Sequence, residues 1–165
     1  MKLHYLNIIL FLFFTQACTF AKHEKEITQV DIHFRPSFIN SSALTINRKL
    51  KTVNFSISSS KYFQYNNFNL SLPLEKFETN TEIEQFYTYK YLNSIRKDTT
   101  LDIVHDGISL LVHYSYNNKM DSIYTGNVLS TELEQNLLQQ IIFLKAQTND
   151  TAAKDYLGLL SRYFN

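Results

Sequence analysis

From Ile27 onward, apolar residues fall at every second position. In VDIHF, Val30, Ile32 and Phe34 share one face while Asp31 and His33 share the other, the pattern of a strand with one side buried and one side wet. Pro36, which has no backbone N–H to offer a ladder, ends the run. ALTIN (Leu44, Ile46) and TVNFSIS (Val53, Phe55, Ile57) alternate in the same way, and the polar NRKLK between them predicts a hairpin. YFQYNNFNLSL predicts a further strand through Phe68, Leu70 and Leu72, with an Asn-Asn corner before it.

The period then lengthens. Thr81, with Glu84 three positions on, has the form of a capping box and predicts a helix seamed by Ile83, Phe86, Tyr87, Tyr91 and Ile95. Arg96 and Lys97 stand at its end, where the helix dipole favours cations. DGISLLVHYSY returns to strand: Ile108, Leu110, Val112, Tyr114 and Tyr116 share one face, and Ser109, Leu111, His113 and Ser115 the other. YNNKMD turns the chain and SIYTG runs back. Thr131 with Glu134 predicts a second capped helix, its inner seam Leu133, Leu137, Ile141 and Leu144, widened by Leu138 and Ile142. TND breaks it, and a last helix over 151–164 buries Ala153, Tyr156, Leu157 and Leu160. Gly158 inside that helix costs about 1 kcal/mol relative to alanine and predicts a close approach there.

The chain thus reads twice as hairpin, connection and T-x-x-E-capped helix. The fold class is α+β: an antiparallel sheet of hairpins with helices packed on one face, in a single domain over residues 27–165.

Ahead of the alternation the pattern differs. Lys2 and His4 open a short polar start, Leu6 to Phe14 is apolar apart from Asn7, and TQA leads to small Ala17. This order matches a secretory signal peptide over residues 1–17. Its greasy part is about half of the ~20 residues a spanning helix needs. Cys18, the single cysteine in the chain, follows at once, and the charged AKHEKE makes 18–26 a flexible tether.

TQAC resembles the lipobox of bacterial lipoproteins, and the Asn-, Lys-, Phe- and Tyr-rich composition is similar to that of Bacteroidota members. The resemblance covers residues 1–18 and departs from the usual pattern at Thr15, where an aliphatic residue is common. It implies that the Cys18 thiol is acylated, that the chain is cut before it, and that palmitate-type chains hold the protein to a membrane. The same resemblance places the protein in the cell envelope. The spacer lacks a tight acidic cluster after the cysteine, which favours a periplasm-facing position on the outer membrane.

Composition removes several classes of function. With 3 Gly, the chain has no phosphate-cradling loop. Loss of residues 1–17 removes Lys2 and leaves cations and acids equal, so there is no electrostatic case for nucleic acid. One cysteine builds neither an intrachain disulfide nor a cysteine zinc site. N-x-S/T triplets at Asn40, Asn54, Asn69 and Asn149 occur at about the frequency such a composition gives and do not by themselves establish glycosylation.

Four histidines remain beyond the leader: His23, His33, His105 and His113. If their strands pair, Asp31, His33, His113 and His105 could converge on a metal, but no fixed ligand spacing supports this. No G-x-S-x-G elbow occurs, and Glu75, Glu78, Glu82, Glu84, Asp98, Asp102 and Asp106 fall mostly at caps and turns. No catalytic, cofactor-binding or metal residue is therefore assigned, and the lipid attachment point Cys18 is the one site residue. YFQYNNF and FYTYKYL are tyrosine-rich and could present rings to a protein or glycan partner, although such stripes are more often a core whose hydroxyls reach the rim. The expected function is a membrane-tethered, non-enzymatic interaction lipoprotein. The alternatives are a periplasmic immunity or inhibitor protein, or a hydrolase with a dispersed site.

Overall fold

The alternation that begins at Ile27 becomes β1 (Ile27–Pro36), and its two neighbours in the sheet come from opposite ends of the chain. The computed structural model describes residues 26–59, 65–97, 107–126 and 129–164. Among these, β2 (Ser42–Asn47), β3 (Thr52–Ile57) and β4 (Phe68–Pro73) follow β1 as a meander, and β5 (Ile108–Tyr116) and β6 (Lys119–Thr125) form a hairpin. All pairings are antiparallel and the order is β4-β3-β2-β1-β5-β6. Helices α1 (Leu74–Glu78), α2 (Tyr89–Lys97), α3 (Thr131–Gln147) and α4 (Thr151–Leu160) cover one face, with 3₁₀ turns at Glu84–Tyr87 and Ser161–Phe164.

Each strand turns the expected residues inward. Val30, Ile32 and Phe34 of β1, Leu44 and Ile46 of β2, Val53 and Phe55 of β3, and Leu110 and Val112 of β5 have no exposed surface. Burying each such side chain contributes about 1.5–3 kcal/mol. The helices meet this layer through rings in edge contact: Phe34 with Phe164 (6.2 Å between centroids) and Tyr89 with Tyr114 (6.3 Å).

The turns follow from local chemistry. Tyr116 pairs with Lys119, so the β5–β6 loop has two residues, Asn117 and Asn118, with φ of 47° and 59°. Both lie in the left-handed region, as a type I′ hairpin requires and asparagine tolerates. In the β2–β3 turn the Asn47 side chain accepts from the Leu50 N–H (2.8 Å), and Lys51 takes a φ of 54°. Fully buried Asn40 donates to the carbonyls of Ser58 (2.6 Å) and Tyr65 (3.0 Å), while its own carbonyl accepts from the Tyr156 hydroxyl (2.7 Å). This knot ties the β1–β2 loop to the β3–β4 connection and to α4.

Helix starts differ from the reading of the sequence. Thr81 caps nothing: its hydroxyl donates back to the Phe77 carbonyl (2.8 Å) and closes off α1, a five-residue helix the alternation did not reveal. The expected helix from Thr81 is a 3₁₀ turn followed by α2, whose first turn is met by Thr88, accepting from the Tyr91 N–H (3.4 Å). Ser130, not Thr131, caps α3, and Asp150 caps α4 (2.8 Å to the Ala153 N–H). The last helix is α-helical only to Leu160. At Gly158 a Cβ would lie 3.0 Å from Lys145 Nζ, the far end of a flexible exposed side chain that can move aside, so among the described residues no close backbone packing explains the glycine.

α3 carries two polar residues on its buried side. Asn136 donates to Gln85 Oε1 and Tyr91 Oη (3.1 Å each), which joins α3 to the 3₁₀ turn and α2. Gln140 has no exposed surface, and among the described residues neither of its amide atoms finds a partner. Leaving a buried polar group unpaired costs about 1–3 kcal/mol. Gln140→Met, close in shape and without the amide, is expected to raise the free energy of unfolding by about 1–2 kcal/mol in urea titration.

Candidate functional site

Because strand side chains alternate, the face turned away from the helices is decided as firmly as the core. β1 supplies Gln29, Asp31, His33 and Arg35. The register then lines up Asp31 with Thr45, Asn54 and Ser71 on one side and with His113 and Ser122 on the other. One row along, His33 stands level with Ala43 and Ser56 on one side and with Leu111 and Tyr124 on the other. The result is a sheet face of hydroxyls and amides with two imidazoles near its centre.

His33 and His113 lie on the diagonal of neighbouring strands and touch, ring centroids 5.3 Å apart and planes at 82°. Beside them runs a chain of amides: Asn47 donates to Gln29 Oε1 (3.0 Å), and Gln29 donates to Asp31 Oδ2 (2.8 Å). The pairing thus brings together three of the residues expected to converge, Asp31, His33 and His113. Their arrangement is an imidazole pair beside an amide-held carboxylate: among the described residues no group of three or more His, Cys, Asp and Glu side chains is gathered to hold a metal ion. Cys18, His23, His105, Asp98, Asp102 and Asp106 lie outside the described residues.

Among the described residues, the tyrosine-rich segments lie against the core. Phe86 is fully buried, Tyr89 stands edge-on to Tyr116 (5.8 Å), and Tyr91 packs on Phe86 (5.3 Å). Tyr65 packs edge-on to Tyr156 (5.4 Å). Tyr65, Tyr89 and Tyr91 are partly buried and pack against the core. The tyrosine on the open face is Tyr124, 53% exposed, level with Leu111. The signal for it was present in SIYTG: if Ile123 points in, Tyr124 points out.

At the end of the sheet where β1 begins lies an open groove of about 700 Å³, lined by Glu26, Arg48, Lys51, Leu74, Glu75 and Glu78 among others. Arg48 is one of its lining residues. It lies 3.4 Å from Glu26, donates to the Ile27 carbonyl (3.2 Å), and stacks 4.6 Å above the Tyr87 ring. Burial first, and then the Glu78 carboxylate, push the Tyr87 hydroxyl well above the usual tyrosine range, so it stays a neutral phenol. Two of the acids noted in the sequence, Glu75 and Glu78, meet here, but Arg48, Lys49 and Lys51 offset them, and no histidine lines the groove. Of the four N-x-S/T asparagines, Asn40 is fully buried, whereas Asn54, Asn69 and Asn149 are exposed.

The imidazole of His33 is held below the usual histidine value of 6.5, chiefly by partial burial and then by His113, with Asp31 opposing and Arg35 adding to the shift. The unfolded chain therefore binds a proton at His33 at a pH where the folded chain does not. Stability from this source is present above pH 6.5 and is lost as the pH falls through the lower folded value. In thermal unfolding scans, His33→Gln is expected to flatten the fall in Tm below pH 6.5 while changing Tm little above it.

In comparison with known proteins, no family model matches the chain, and no curated protein gives a significant match.

Proposed function

We propose that the protein is a membrane-tethered, non-enzymatic interaction protein of the cell envelope, anchored by acyl chains on Cys18 and periplasm-facing on the outer membrane. The observation that carries the reading is TQAC: the chain's single thiol placed directly after a short apolar run and a small residue. The thiol is the nucleophile that takes lipid, and each buried methylene contributes about 0.8 kcal/mol, so more than one chain gives stable attachment. Among the described residues no helix is long and apolar enough to cross a membrane.

The open face supports the interaction half of the reading. It offers hydroxyl and amide groups in register, no strong net charge, and an exposed ring at Tyr124 next to Leu111. Hydroxyls and amides hydrogen-bond to a glycan or a peptide backbone, and an exposed ring stacks on a sugar or on an apolar side chain.

Labelled palmitate is expected to enter the wild-type protein in growing cells and not Cys18→Ala expressed at the same level. Retained label in the variant would overturn the anchor. For the interaction, wild-type protein is expected to recover a defined species from solubilised envelopes that Leu111→Asp/Tyr124→Ala does not. Equal recovery by both would remove the open face from the proposal.

A further inference from the structure

Chain direction gathers several features at one end of the sheet. β1 starts there at Ile27, so the peptide leading back to Cys18 departs from that end. Gln29 pairs with both Asn47 and Ser115, so the β2–β3 turn at 48–51 and the β5–β6 turn at Asn117 and Asn118 project past the same edge. The two turns flank β1, three strand spacings or about 14 Å apart.

The first turn carries Leu50 (68% exposed), and beside the second stands Met120 (70%), the second residue of β6, opposite Ser115; these are the two most exposed large apolar side chains among the described residues. Exposed Lys49 and Lys51 bracket Leu50, and exposed Lys119 precedes Met120. Among the described residues none of the three lysines makes an ion pair. Carboxylates share this end: Glu26, 3.4 Å from Arg48, and Glu75 and Glu78 of α1 line one groove with Lys49 and Lys51, while Lys119 lies outside that lining. Aliphatic tips ringed by ammonium groups suit the boundary of a phospholipid layer. The apolar ends enter the headgroup region, and the cations remain among the phosphates.

We infer that this end of the sheet is a membrane-contact surface, with Leu50 and Met120 entering the headgroup layer of an anionic phospholipid bilayer and Lys49, Lys51 and Lys119 against its phosphates. The inference rests on acylation of Cys18. Eight residues lie between Cys18 and Ile27, and the nine steps of chain span at most about 30 Å. That length holds this end near the bilayer without itself forcing contact, so the surface supplies the orientation. The strands then stand along the membrane normal and the open face is displayed sideways. The competing apolar tip, Phe38 at 64% exposure, lies at the other end of β1, a further strand length of about 30 Å away.

The test places a fluorophore on Met120→Cys or, for reference, on exposed Ile142→Cys of α3, in the intact lipidated protein. The protein is reconstituted in vesicles of phosphatidylglycerol and phosphatidylethanolamine containing headgroup-level nitroxide lipid. The label at 120 is expected to be quenched several-fold more than the label at 142, and Lys49→Glu/Leu50→Asp to bring it down to the level at 142. Equal quenching at the two positions would overturn the inference. Failure of the anchor reads separately: intact mass showing a second fluorophore, on Cys18, would refute acylation. The same comparison on a Cys18→Ser background would then decide the contact surface alone.

Discussion

The structure depends on β1 being paired along both edges. A strand at the centre of a sheet must find ladder partners on each side, because a buried unpaired backbone group costs as much as a lost hydrogen bond. β2 satisfies one side locally through a short loop. The other side waits for β5, and the Thr28 hydroxyl bonding the Ser115 carbonyl spans 87 residues of sequence. Loop closure over that distance grows only as the logarithm of its length. What makes the pairing specific is the pattern on β5: any slip by one residue would turn Leu110, Val112 and Tyr114 out to water and Ser109, His113 and Ser115 into the core.

That pairing divides the protein into two unlike halves. On the helix side, the rings of Phe34, Phe164, Tyr89 and Tyr114 interlock, and the polar groups that reach inward are in part answered, as the side-chain N–H groups of Asn40 and Asn136 are. Gln140 is answered at neither amide atom among the described residues, and Asn40 Oδ1, Ser42 Oγ and Tyr87 Oη also lack a partner there. On the other side the sheet carries small polar residues and the touching pair His33 and His113. The long-range pairing that completes the core therefore also creates the imidazole pair.

The strands were legible because their signal is local. Val30, Ile32 and Phe34, or Ile108, Leu110 and Val112, declare a two-residue period with no help from the rest of the chain. Helix boundaries were less so. Thr81 and Glu84 have the spacing of a capping box, yet the Thr81 hydroxyl is already committed to Phe77, the end of a five-residue helix too short to show a period. The candidate site was legible by face and not by neighbour: alternation put His33 and His113 on polar faces, but only the β1–β5 register sets them side by side. The tyrosines of FYTYKYL were ambiguous for a related reason. Tyrosine suits a wet surface and a core rim equally well, and only the helix rotation that points Tyr89 at Tyr116 decides between them.

The position of Ile27 has a mechanical meaning. The chain enters the domain at the first residue of the central strand, so any force arriving through residue 26 runs along the axis of β1. Such a load shears two ladders at once, the six register pairs with β2 and the nine with β5, and all must yield nearly together. A strand at the margin pulled from its tip would instead peel one bond at a time. Were the domain held by its amino-terminal side, the grip would fall at the place that gives way last.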